Sequence, residues 1–101
     1  MARETETVTV IAKVEAREEY VELVKGECLA LVAPSRREVG CLTYALYQAQ
    51  ENPAVFIFYE HWQSREDLDR HLDAPHCLQF DTHTSGKLVK PEEITLLSKL
   101  G

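Results

Sequence analysis

Basic charge is scarce in this chain of 101 residues: 11 Lys and Arg against 17 Asp and Glu leave a formal net charge of −6. A surface of that sign repels the phosphates of nucleic acid and the anionic face of a membrane, so neither is expected as a partner. Cysteine is sparse too. Cys28, Cys41 and Cys77 are odd in number and form no Cys-x-x-Cys pair, which argues against a disulfide framework and for a reducing compartment. No apolar run approaches the roughly 20 residues of a membrane-spanning helix, and Met1 to Thr7 holds no apolar signal-like stretch. A cytoplasmic protein is expected. A Gly-rich phosphate loop, a Ser/His/Asp order, an internal repeat and a low-complexity tract are all missing. What is present, 45% apolar and 28% charged residues, is a globular composition. The length predicts one domain over residues 1–101, with a frayed start at residues 1–6. Chains this short commonly gain stability by oligomerising.

The informative stretch is Val55 to Phe80. Val55 to Trp62 is β-branched and aromatic and predicts a strand. Ser64 then offers an N-cap, with Glu66 and Asp67 placing negative charge in the first turn of a helix that carries Leu68 and His71. Pro75 disfavours helical geometry at Ala74 and suits a new first turn, so a second helical piece is expected from His76 to about Lys87. Upstream, Val8, Val10, Ala12 and Val14 alternate with polar neighbours and Ile11, predicting a strand over Thr7 to Ala16. Tyr20, Val24, Cys28 and Leu31 recur at helical spacing within Arg17 to Arg37, where Pro34 is expected to end or kink the helix near Ala33. Cys41 to Ala49 and Ile94 to Leu100 complete the strands. The order β-α-β-β-α-β is that of a ferredoxin-like α+β fold.

Both faces of the sheet are apolar in this reading. Val55, Ile57 and Tyr59 oppose Phe56, Phe58 and Trp62, and Leu42, Tyr44 and Leu46 oppose Cys41, Ala45 and Tyr47. Helices cover only one face of a two-layer fold, so the other predicts a homodimer packed sheet to sheet.

Gly40, Cys41, Leu42 and Tyr44, then Glu60, Trp62 and Ser64, then Leu68 and His71, then Pro75, His76 and Phe80 together resemble the antibiotic biosynthesis monooxygenase domain family, over about Val8 to Leu97. The resemblance implies a dimeric α+β barrel. For some members it also implies oxidation of phenols or quinols by O₂ without metal, haem or flavin, and small bacterial quinol monooxygenases look most alike. Other branches isomerise a phosphorylated signalling sugar derivative or degrade haem. The haem-degrading members place an axial His where this chain has Asp81, with His83 two residues away. Polyketide-oxidising members carry an Asn where this chain has Phe58.

Cofactor-free oxidation needs a dry pocket, a base to make an electron-rich anion, and donors for reduced oxygen. His71 shares the helix face of Leu68 and should point inward. It is either a base or substrate anchor, or a buried His bonded to a backbone carbonyl or Tyr44. Glu60 is either a second base or orienter of His71, or a structural ion pair with Arg36, Arg37 or His71. Trp62, Tyr44, Phe56 and Phe58 can shape a flat pocket, and Trp62 can offer its indole N–H to an oxygen atom. His76 and Phe80 are further candidates for substrate contact, though packing at the helix break explains His76 as well. His61 should lie on the opposite sheet face, and His83 in solvent. Cys77, at a helix start, could have a lowered pKa, but reads as a packing residue. His71 and His76 are five apart across Pro75, not the four that put two ligands on one helix face, so no metal site is expected. An isomerase or lyase acting on a small carbonyl compound, or a non-catalytic binder of a small aromatic ligand, are the alternative functions.

Overall fold

The computed structural model of the protein describes residues 6–101, so most of the segment expected to fray lies outside the described residues. Strand β1 spans Val8–Glu15 and is followed by a 3-10 turn, Glu18–Tyr20, that leads directly into α1, Val21–Arg36. Strands β2, Cys41–Gln48, and β3, Val55–Trp62, form a hairpin. Helices α2, Arg65–Leu72, and α3, Pro75–Thr84, precede β4, Glu93–Leu97. The four strands pair antiparallel in the order β2-β3-β1-β4. This is the expected ferredoxin-like α+β arrangement, its second helix split in two at Asp73 and Ala74.

The local chemistry explains the elements. Ser64 caps α2: its Oγ accepts from Asp67 N at 3.2 Å and donates to Asp67 Oδ2 at 2.9 Å. Pro75 occupies the first turn of α3, where its missing N–H costs nothing. In the hairpin turn, Asn52 Oδ1 accepts from Ala54 N at 3.1 Å.

Two local expectations fail. Pro34 does not end α1, which runs on to Arg36. It sits in the last turn, so only one intrahelical bond is lost, and its own carbonyl accepts from Arg37 N at 3.3 Å. A bulge between Cys41 and Thr43 also shifts the phase of β2. Cys41 therefore pairs with Trp62 on the helix side, and Leu42 is left exposed, the reverse of strict alternation.

The core lies between the sheet and α1–α3. Val10, Ala12 and Val14 of β1, Phe56, Phe58 and Trp62 of β3, Val24, Cys28 and Leu31 of α1, and Leu68 and Phe80 form one buried cluster. Each large side chain there contributes about 1.5–3 kcal/mol on leaving water. The opposite sheet face carries Ile11, Ala45, Tyr47, Ile57 and Tyr59, with no helix over it among the described residues. Tyr47 and Tyr59 are 59% and 38% exposed, so this face is apolar and uncovered. His61 lies on it, opposite Thr9 and Thr43, as expected.

Gly40 sets the geometry where α1 hands over to β2. Its φ is +84°, and its carbonyl accepts from Gln63 N at 2.7 Å, tying this loop to the end of β3. A Cβ there would collide with the Asp67 carboxylate. Gly40→Ala should cost about 1–3 kcal/mol through left-handed strain and that collision, read as a lowered midpoint in urea. An unchanged midpoint would mean that the loop relaxes freely.

Candidate active site

The break between α2 and α3, the α1–β2 loop and the end of β3 converge at one end of the sheet. His71, on the buried face of α2 three residues after Leu68, is 3% exposed. Its Nδ1 lies 2.7 Å from Glu38 Oε2. The same oxygen lies 2.7 Å from His76 Nε2, so one carboxylate accepts from both imidazoles. His71 Nε2 then lies on the other side of its ring, 3.8 Å from Glu60 Oε1 and 3.5 Å from Cys77 Sγ. The first of these is ion-pair range rather than a hydrogen bond. The Trp62 indole lies against the His71 ring at 4.6 Å between centroids, tilted 34°, and Tyr44 meets that ring edge-on at 5.4 Å. Trp62 Nε1 donates to Glu60 Oε1 at 2.9 Å.

A cavity of about 270 Å³ opens beside this cluster. Its polar lining is His71, Glu60, Tyr44, Cys77, Asp81 and Glu92, and the rest is apolar, including Leu68, Phe80 and Ile94. Neither Lys nor Arg is among the described residues that line it. An adjoining open groove of about 440 Å³ runs along the end of α3 and shares Phe80, Asp81 and Glu92 with the cavity. The cavity suits a molecule of one or two rings, being just below the range of about 300–1,000 Å³ usual for larger ligands.

Of the expected site residues, His71, Glu60 and Tyr44 line the cavity together, and Phe80 closes another wall. Phe58 is buried behind them, 5.6 Å from the Tyr44 ring and 6.5 Å from that of Phe80. Phe56 is core, paired with Val14 and Gln48 away from the cluster. Neither phenylalanine is a wall residue, because β3 buries its whole helix-side row beneath the helices. Trp62 is wholly buried and its N–H is taken by Glu60, so the indole is not positioned to meet an oxygen atom in the cavity. His76 is held by Glu38 outside the lining, and His83 is half exposed and pairs with Glu27 at 2.9 Å.

The partner of Glu60 is neither arginine. Arg36 Nε donates instead to the Tyr44 carbonyl at 2.9 Å. Nor does His71 rest on a backbone carbonyl or on Tyr44. Its partner is Glu38, which periodicity does not single out, because Glu38 lies in a loop 33 residues away. The one local cue is its position two residues before the turn glycine that β3 holds in place. The spacing argument against a metal counted along one helix, whereas the chain uses two. The turn at Asp73 and Ala74 brings donor atoms of His71, His76 and Cys77 within 4.8 Å of one another.

Burial dominates the electrostatics. It raises the Glu60 carboxyl above the usual range, against the opposing pull of the Trp62 N–H and of His71. Burial also raises the Tyr44 phenol far above its ordinary value, keeping it a neutral O–H. The Cys77 thiol is pushed up to about 12 by burial and then by Glu38 and Glu60, the opposite of an activated thiol at a helix start. Glu92 is pushed up to about 7 by burial, then by Asp81 and Glu60.

The Glu92 shift fixes a sign. A raised carboxyl binds its proton more tightly in the folded state, so the stability it contributes is present below the unfolded pKa and lost as pH rises through 7. Unfolding free energy should fall by about 1–3 kcal/mol between about pH 5 and pH 8. Glu92→Gln should flatten the fall, as measured by urea titrations at each pH. An undiminished slope in the variant would trace the loss to another group.

Comparison with known proteins follows the same lines. The family model described as antibiotic biosynthesis monooxygenase matches residues 7–82. The uncharacterized protein sll1783 of Synechocystis is 32% identical over 84 residues, covering 83% of this chain but 54% of that protein, so the chain spans about half its length. Rv0793 of Mycobacterium tuberculosis, which carries a provisional monooxygenase name, is 31% identical over 96 residues, 95% of this chain and 94% of that protein. Its solved structure superposes with a TM-score of 0.88, covering 95% of this chain and 97% of that one at 29% identity. The crystal structure of PA3566 from Pseudomonas aeruginosa gives 0.89 at 33% identity, over 99% of this chain and all (100%) of that one.

Proposed function

This chain belongs to the antibiotic biosynthesis monooxygenase family, and from that premise we propose that it oxidises a small quinol or phenol with O₂, using no bound cofactor. The observation that carries the reading is His71. One nitrogen is engaged by a carboxylate, and the other lies beside Glu60 and Cys77, which line the same cavity as His71. Half-buried Glu38 fixes ring and tautomer, leaving Nε2 as the proton acceptor. A neutral phenolic substrate fits a cavity whose described lining holds carboxyls and no Lys or Arg. A phosphorylated or carboxylate substrate would meet repulsion there, which argues against the phosphorylated-sugar isomerisation of other branches.

In this reading His71 Nε2 takes the phenolic proton, and Tyr44 and Phe80 hold the ring. The anion passes one electron to O₂, and the resulting radical pair joins as a ring peroxide. Loss of water then leaves the hydroxylated quinone. A quinol gives up four electrons in all and O₂ accepts four, one oxygen atom entering the ring and the other leaving in water. Glu60, held by Trp62, stands beside Nε2 to steady the proton that His71 has taken. His76 anchors Glu38, and Phe58 and Phe56 support the walls from behind.

The protein in this reading is a cytoplasmic homodimer, a setting that suits its three free thiols. The uncovered sheet face with Tyr47, Tyr59 and Ile11 supports the pairing. Sedimentation should give twice the chain mass at micromolar concentration, and Tyr59→Asp should halve it. A stable single chain in the unmodified protein would remove the sheet-to-sheet assembly.

The activity is tested with menadiol and chelator-treated protein in an oxygen electrode. Uptake above the spontaneous rate, with one oxygen atom of labelled O₂ in the product, is expected. Turnover of a small carbonyl compound under nitrogen, without quinol oxidation, would favour the isomerase instead.

A further inference from the structure

His76 and Cys77 lie in the first turn of α3, and His71 in the last turn of α2. The proline-directed break folds these ends toward each other, so that donor atoms from all three lie within 4.8 Å. Cys77 Sγ is 3.8 Å from His71 Nδ1 and 3.5 Å from its Nε2. Glu38 Oε2 sits 2.7 Å from a nitrogen of each histidine. A tetrahedral ion with bonds of about 2.0–2.3 Å spaces its ligands about 3.3–3.7 Å apart. The ion would bind the Glu38-facing nitrogen of His71, Nδ1, so the sulfur at 3.8 Å needs to close by only about 0.1 Å to reach ligand spacing, while the carboxylate is drawn in by the two protons it accepts.

We propose that His71, His76 and Cys77, with Glu38 as fourth ligand, form a binding site for one divalent ion of the zinc type. Thiolate and imidazole together select zinc over the hard cations magnesium and calcium. Binding expels the thiol proton and moves each imidazole proton to the opposite ring nitrogen. Glu38 then changes from hydrogen-bond acceptor to ligand, opening its two contacts by about half an ångström to reach the ligand spacing. The surroundings favour a cation, since Glu60 lines the same cavity and no Lys or Arg does among the described residues. The ion would occupy the histidine assigned as base, so the loaded protein would be unable to take a proton there. That consequence rests on the proposed function, whereas the site itself does not.

The test uses the whole chain, stripped of metal and titrated with cobalt(II) as an optical stand-in for zinc. One cobalt per chain should bind with a thiolate-to-cobalt charge-transfer band and the visible bands of a four-coordinate ion, both removed by one equivalent of zinc. Cys77→Ser should lose the charge-transfer band, His76→Ala should weaken binding at least tenfold, and Cys41→Ser should keep the band. No charge-transfer band in the unmodified protein, or an undiminished band in Cys77→Ser, would overturn the proposal. Oxygen uptake by the metal-free protein is measured separately, so the ion site and the oxidation reaction can fail independently.

Discussion

Replacing His71 with alanine should cut quinol-dependent oxygen uptake by about 10²–10⁴-fold, the usual worth of a positioned general base. The ring is 3% exposed and lines the cavity, where Glu92, also in the lining and raised to about 7, is a second group able to take a proton. Glu60 lies 3.8 Å from Nε2, but its carboxyl, raised by burial, is committed to the Trp62 N–H. Removing the imidazole also leaves a void beside Trp62 and strips Glu38 of one donor, so stability must be followed alongside activity. His71→Asn refills much of that space and should be as inactive as alanine while unfolding nearer the unmodified midpoint. Steady-state oxygen uptake, with urea unfolding as the control, checks both variants. Uptake within a factor of about three of the unmodified protein would be less than about 1 kcal/mol of barrier, and would remove His71 as the base.

The second large effect concerns Glu38. Glu38→Gln should lower kcat by about 10–10²-fold, the scale on which orienting carboxylates act, with KM nearly unchanged. Both imidazoles meet one oxygen of Glu38, so glutamine's oxygen can keep both contacts but without the carboxylate's charge, which weakens its hold on the ring. Glu38 is not among the residues lining the cavity, so ground-state substrate contact should survive. Stopped-flow oxygen consumption over a range of quinol concentrations separates the two constants. A rise in KM with kcat intact would mean that Glu38 shapes the substrate site rather than orienting the histidine.

The framework was open to sequence reading because it rests on local chemistry. The Ser64 cap, the Pro75 break and the alternation in β1 each depend on neighbours within a few residues, and each forms as expected. Leu68 and His71 share a buried face because three residues on a helix return to the same side. Most expectations that failed were decided by tertiary contacts. Of the two outcomes expected of Pro34, an end near Ala33 did not occur, for the local reason that the proline sits in the last turn. The phase of Cys41 and Leu42 was reversed by a bulge, which no period-two pattern encodes. Phe56 and Phe58 were read as pocket walls from composition, yet being aromatic on the helix-side row says only that they are buried. Glu38 was missed because its role exists only once the α1–β2 loop meets α2, across 33 residues of sequence. A motif read along the chain could reach the histidine, but not the carboxylate that orients it.

The most direct measurement is a crystal structure of the protein with a non-oxidisable phenol bound. The phenolic oxygen should lie within hydrogen-bond distance of His71 Nε2, with the ring between Tyr44 and Phe80 and Glu38 still on Nδ1. A ring seated in the outer groove by Lys90 and Pro91, its hydroxyl turned away from His71, would contradict the account.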